Sequence, residues 1–179
     1  MRGDTFDLDE LQQHVEAEEF RCLGDRRFAS GDHEDAAAYY QMSLDIYPTA
    51  DAHVALAWTI AGRGLLAEAI AHCEAAIALE PAFGNAYNDW GVYLLRQSDT
   101  EADKDRAADL LVQAVRLFER AIAAERYDCR NYPHYHLGRI REQQGRFSEA
   151  RDYYTQSLRL DPYFAPAQKA HRRTLSWLN

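Results

Sequence analysis

Lysine is almost missing from this 179-residue chain: only Lys104 and Lys169 occur, and arginine supplies the rest of the positive charge. The formal net charge is −9, which argues against nucleic acid as the main partner, because phosphate binding needs clustered Lys and Arg. Cysteine is equally scarce. Cys22, Cys73 and Cys129 are odd in number, far apart and without a CxxC pair, which argues against both a disulfide framework and a structural zinc site. No stretch approaches the ~20 consecutive apolar residues of a membrane span. The opening MRGDTFDLDE is acidic and lacks the apolar core of a secretory signal, so a cytoplasmic location is the expectation. GxSxG, HExxH, P-loop and GxGxxG patterns are absent in any suitable context.

What remains is an ordinary soluble composition, 47% hydrophobic and 27% charged, with its charge unevenly spread. Residues 1–50 carry twelve Asp and Glu against four Arg, while residues 131–179 carry eight Arg and Lys against four acids. Opposite ends of this kind suggest weak homo-oligomerisation head to tail, with Arg159, Arg172 and Arg173 meeting Asp32, Glu34 and Asp35, or a partner of matching polarity. Such exposed pairs would be screened by salt.

Three of the five prolines, Pro48, Pro81 and Pro162, end similar segments. These are LGDRRFASGDHEDAAAYYQMSLDIYP, LAWTIAGRGLLAEAIAHCEAAIALEP and LGRIREQQGRFSEARDYYTQSLRLDP, and a fourth begins WGVYLLRQ at Trp90. Each reads as two amphipathic helices joined by a turn, with Gly31, Gly64 and Gly145 in the turns. A small residue recurs on the first helix at Gly24, Ala57, Gly91 and Gly138. The second helix repeats Ala36, Ala69, Ala114 and Ala150, then a bulkier Tyr40, Cys73, Phe118 and Tyr154, then Ser43, Ala76, Ala121 and Ser157. Small slots let the helices approach and bulky slots fill the space between them.

This pattern resembles the tetratricopeptide repeat, a helix–turn–helix unit of 34 residues. The resemblance implies an all-α fold, a right-handed superhelix (solenoid) in a single domain. A helical extension covers 1–16, repeats cover about 17–49, 50–83, 84–130 and 131–164, and a capping helix covers 165–179. The third repeat carries about eleven extra residues near 96–106. Ser98 with Glu101 looks like a capping box, which starts its second helix near 100 and runs it to about 124. Arg126 stands where the terminating proline belongs. At the N-terminus, Leu8, Leu11 and Val15 share one face, with Asp7 and Glu10 as candidate caps. Arg172 takes the small slot of an incomplete fifth unit.

The resemblance also implies a non-catalytic function: an adaptor or scaffold that holds a peptide or helical segment of a partner protein in a concave groove lined by the first helices. The groove residues it implies are Arg21, Asp25, Phe28, Val54, Trp58, Asn85, Asn88, Asp89, Val92, Tyr135, His136 and Arg139. Val54, Trp58, Val92 and Leu95 would form an apolar middle, with Trp58 exposed at its centre because charge is tolerated in the same slot at Asp25 and Arg139. Some relatives clamp a terminal carboxylate there, but Asp25 and Asp89 oppose that use here. A chaperone for assembly or secretion is the alternative, and an RNA-binding role is further disfavoured by charge. No cofactor or metal is expected.

The segment CRNYPHYHLGR, residues 129–139, is the most chemically loaded. Two histidines two apart on a helix point to different sides, whereas helical ligands prefer spacings of three or four. In the repeat register His134 shares its slot with Phe20, His53 and Tyr87, a packing position, and His136 faces the groove. Glu16, Glu18, Glu19, Asp103 and Asp105 read as solvated helix faces. The pairs Tyr39–Tyr40 and Tyr153–Tyr154 read as core, and GRG at 62–64 as the turn of the second repeat.

Overall fold

The computed structural model describes residues 8–177; Asp7 and the last two residues, to which the capping and helix-end expectations extend, lie outside them. Among the described residues the chain is helical with no strand. The first unit, up to Glu80, contains α1 (Leu8–Ser30), α2 (His33–Ile46), α3 (Ala50–Gly62) and α4 (Leu66–Leu79). The second, from Pro81 onward, contains α5 (Gly84–Thr100), α6 (Lys104–Ala123), α7 (Asn131–Gln143), α8 (Phe147–Leu160) and α9 (Ala165–Trp177). Within the first unit α1 pairs with α2, α2 packs on α3 and α3 pairs with α4. In the second, α5 pairs with α6, α7 with α8, and the same helix-to-next-helix packing carries through to α9.

Local chemistry sets the boundaries. Gly31, Gly64 and Gly145 take positive φ values of 87°, 85° and 72°, which costs a residue without Cβ little. That conformation lets the chain fold back, so that the amide of Asp32 donates to Arg27 O at 2.9 Å, Leu65 to Ile60 O at 3.3 Å and Arg146 to Arg141 O at 2.9 Å. These are the six-to-one bonds of a Schellman stop. The other helix of three pairs ends in an extended residue, Tyr47, Glu80 or Asp161, immediately before a proline that disfavours helical backbone at the residue preceding it.

The repeat slots are the core. Ala36, Ala69, Ala114 and Ala150 are fully buried, as are Ser43, Ala76, Ala121 and Ser157. A Cβ placed on Gly24 would sit 2.5 Å from the ring of Tyr40; on Gly91, 2.7 Å from Phe118; on Gly138, 2.5 Å from Tyr154. The second repeat has Ala57 in place of glycine and Cys73 in place of the ring, both fully buried. One added methyl is matched by one smaller partner, as close packing requires.

The irregular third repeat differs from expectation in one respect. The Ser98 hydroxyl donates to Leu95 O inside α5 instead of capping a new helix. The cap is Asp103, whose carboxylate accepts from the amides of Asp105 and Arg106. The extra residues therefore lengthen both helices, α5 to 17 residues and α6 to 20, against 13 and 14 in the repeats on either side. Where proline is missing, Arg126 forms a short backbone bridge with Phe83. Gly84 N donates to Arg126 O at 3.0 Å and Arg126 N to Ala82 O at 3.1 Å. The Arg126 guanidinium lies 4.3 Å over the Phe83 ring, and Arg130 donates to the carbonyls of Ile122 and Ala124 at the end of α6.

Gly62 closes α3 with nothing near its missing Cβ, so Gly62→Ala should be neutral or stabilising by up to ~1 kcal/mol. Gly91→Ala gains the same helix propensity yet meets Phe118 and should lower stability by ~1–3 kcal/mol. Adding Phe118→Leu should cost less than the sum of the two single changes. Chemical denaturation of the four variants checks this, and strict additivity would show that the two side chains do not meet.

Candidate interaction surfaces

In the first unit, Gly24 brings Tyr40 so close that its hydroxyl passes beyond α1 and donates to Asp25 at 2.8 Å. Arg21 donates to Asp25 at 2.7 Å and to Glu18 at 2.9 Å. Burial, then the hydrogen bond to Asp25, holds the Tyr40 hydroxyl well above the usual phenol range. Glu18 is thus part of a network and not merely a solvated acid. Beside this network Phe28 is half-buried and meets the edge of Trp58 at a centroid distance of 6.4 Å. Trp58 is 57% exposed, whereas Val54, one turn earlier on α3, is buried.

The second unit repeats the arrangement at its far end. Gly138 admits Tyr154, whose hydroxyl donates to Glu142 at 2.7 Å. Arg173 of α9 closes on the same carboxylate with two bonds of 2.6 and 2.7 Å. The bond from Arg173 is the main influence holding Glu142 below the usual carboxylate range. Arg173 is therefore engaged within its own unit, and Asp32 and Asp35 lie 3.5 and 3.8 Å from Arg27. Any pairing of opposite ends would draw on Arg159, Arg172 and Glu34.

The residues expected to line a groove differ in how far their neighbours cover them. Asn88 and Asp89 are buried, with the Asn88 amide donating to Asp89 at 3.0 Å. Leu95 is also buried, while Asn85 and Val92 are half-buried. Tyr135 packs between Tyr154 and Phe164. His136 stacks on Phe118 at 5.1 Å with the rings 14° from parallel, so it is a packing residue. Arg139 lies 3.9 Å from Asp99, and Gln143 donates to the same Asp99 at 3.0 Å. Asp99 belongs to the extra length of α5, which gives that insertion a contact with α7.

The slot before these positions behaves as the register implies. Phe20 stacks on Tyr39, Tyr87 lies under Arg120 at 4.4 Å, and His134 faces Tyr153 at 6.4 Å. His53 and His72 bring their Nδ1 atoms to 2.9 Å, so one ring donates and the other accepts. Cys22 and Cys129 are exposed and Cys73 is buried. No three His, Cys, Asp or Glu side chains among the described residues converge as a metal site would need. No described helix is long and apolar enough to cross a membrane.

Tetratricopeptide-repeat family models match residues 23–86 and 132–164. This chain belongs to the tetratricopeptide-repeat family. Solved structures agree on the fold. PilF of Pseudomonas aeruginosa aligns with a TM-score of 0.78 at 23% identity, over 92% of this chain and 70% of its own. A thermophilic tetratricopeptide-repeat protein of Thermus thermophilus gives 0.78 at 19%, over 91% and 83%. PilW, a widely conserved type IV pilus biogenesis factor, gives 0.75 at 22%, over 90% and 69%. No curated protein matches the sequence. Tetratricopeptide repeats are protein–protein interaction modules, and the helical solenoid expected from the slots is the fold found.

Two partly buried imidazoles predict an acid sensitivity for this repeat protein. His136 is pushed down to about 3, by burial first and then by Arg139. His53 is pushed down to about 4, by burial first and then by His72. The unfolded chain takes up protons on these rings near pH ~6.5, while the folded state keeps them neutral until near 4 and 3. Stability is therefore full above ~6.5 and falls as pH drops from there toward the two lowered values. Melting temperature should decline from about pH 7 to about 4, and His136→Phe, which keeps the stack, should flatten that decline. An unchanged slope would show that the ring is solvated.

Proposed function

We infer that the chain is a non-catalytic adaptor that holds a peptide or helical segment of a partner protein on the α1–α3 face of its first unit. The observation that carries this reading is Trp58. It is a large ring left 57% exposed and steadied by the edge contact with Phe28, which follows Asp25 of the Glu18–Arg21–Asp25 network by one turn of α1. An apolar anchor bordered by hydrogen-bonding groups is the arrangement found at binding hot spots, where tryptophan is enriched. The charged groups there bind one another, which suits orientation of a partner more than proton transfer.

A chaperone for assembly or secretion of a partner is the second reading. It draws on PilW, a pilus biogenesis factor of the same fold, and ranks lower because a likeness at 22% identity speaks for the fold alone. The net charge of −9 weighs against RNA.

A photo-crosslinking residue at exposed position 62, one turn beyond Trp58 on α3, should capture one partner, while the same residue at exposed Ala38 captures none. Trp58→Ala should weaken binding of that partner by ~2 kcal/mol or more, roughly thirtyfold, with the melting temperature nearly unchanged. Equal capture at both positions, or a large loss of stability on truncation, would overturn the assignment.

A further inference from the structure

The end helix of a repeat array buries one side and needs a polar outer side to stay soluble. α9 meets that requirement on the side opposite its buried Ala167, Ala170 and Thr174, which shows Lys169, Arg172 and Ser176, while Leu175 and Trp177 on its flanks stay exposed. α1 does not. Its core side carries Ala17 and Gly24, fully or nearly fully buried, with Phe20 and Phe28 half-buried. Roughly opposite, at about 100° per residue, lie Leu8, Leu11, Val15 and Cys22, with Leu8 at 76%, Leu11 at 47% and Val15 at 52% exposed. The spacings of three, four and seven are those of a heptad seam. A shallow depression covers its second half, lined by Val15, Cys22 and Leu23 with Glu18 and Glu19, and Arg26 at its end. Among the described residues every charged side chain before Arg21 is acidic: Asp9, Glu10, Glu16, Glu18 and Glu19.

We propose that this outer face of α1 docks an amphipathic helix of another protein, with lysine or arginine flanking its apolar seam. From Leu8 to Arg26 the seam runs about 27 Å, the length of an eighteen-residue helix. Helix-in-seam recognition matches the heptad spacing, and cationic flanks match Glu18 and Glu19, the carboxylates that border the seam. A second copy of α1 is the poorer occupant, because it would set the same carboxylates against one another. This surface lies on the side of α1 away from its packing against α2, and the proposal does not depend on Trp58.

The probe is a synthetic peptide of about eighteen residues, with leucine at both seam positions and lysine at the flanks, followed by fluorescence anisotropy with the full chain. It should bind at least about tenfold tighter than the same peptide carrying glutamate flanks, and tighter than a lysine peptide with its leucines scrambled. Leu11→Glu with Val15→Glu should abolish binding without changing the melting temperature, since both side chains are exposed. Glu18→Lys with Glu19→Lys should reverse the preference toward the glutamate peptide. Trp58→Ala should leave binding intact, so failure here is separate from failure of the Trp58 surface. Equal binding of the scrambled peptide, no binding at all, or unchanged binding by the Leu11/Val15 variant would overturn the proposal. So would a dimer of the free chain that the Leu11/Val15 variant dissolves, since the occupant would then be a second copy.

Discussion

In three of the four repeats a glycine on the first helix meets a ring of the second, and most of the structure is arranged around that contact. A ring that sits where a Cβ would lie brings the two helix backbones nearer than ordinary side chains allow. The second repeat keeps the same constraint in other terms, since Ala57 and Cys73 share out the same space. The contact also decides what appears on the surface. Tyr40 and Tyr154 are long enough to pass between the helices, so their hydroxyls emerge beside Asp25 and Glu142. Phe118 has no hydroxyl to satisfy, and its outer face takes the flat ring of His136 instead. A core slot thereby selects the chemistry of the neighbouring surface.

That link explains how far the sequence could be read. The slots recur together with turn glycines and terminating prolines, each with a local physical cause, so the helical pairs were legible. The third repeat was harder, because Ser98 followed by Glu101 has the residue types of a capping box without its position. The hydroxyl finds a carbonyl within α5, and the helix runs on until Asp103 can accept two free amides. The bridge at Phe83 and Arg126 is made by backbone atoms, which residue types do not announce. The groove residues were read from position on the first helix alone. Val54, Asn88, Asp89 and Leu95 hold inward positions by count yet are buried, since periodicity gives direction and not the depth of the neighbour that covers it. The hydroxyl–carboxylate contacts did leave a signal: tyrosine one turn after the recurring alanine slot, with an acid just past the glycine at Asp25 and one turn past it at Glu142.

The two ends of the array follow different rules. α9 ends it in the way solvent demands, with its small residues inward, its basic residues outward and Arg173 tied back to Glu142. Arg172, in the small slot of a unit with no second helix, is exposed because nothing crosses there. α1 keeps the small slot at Gly24 but carries a second apolar row on its outer side. That row stays exposed within the chain, with Leu8, Leu11 and Val15 open to solvent.

The Glu18–Arg21–Asp25 network also limits what the first unit can recognise. Arg21 is the inward cation nearest Trp58 in sequence register, but its guanidinium already donates to two carboxylates of α1. A partner's terminal carboxylate would have to displace Asp25 or Glu18 and then lie against the acid it displaced, with Tyr40 still holding Asp25 in place. Charge therefore disfavours an anionic anchor on this face, and under the proposed reading the apolar ring would supply the affinity. Trp58 would offer that surface without rearrangement, since it already meets Phe28 edge to face and Val54, one turn earlier, is buried. A segment presenting an apolar side chain, and a donor to the remaining lone pairs of Asp25, suits the face as it stands.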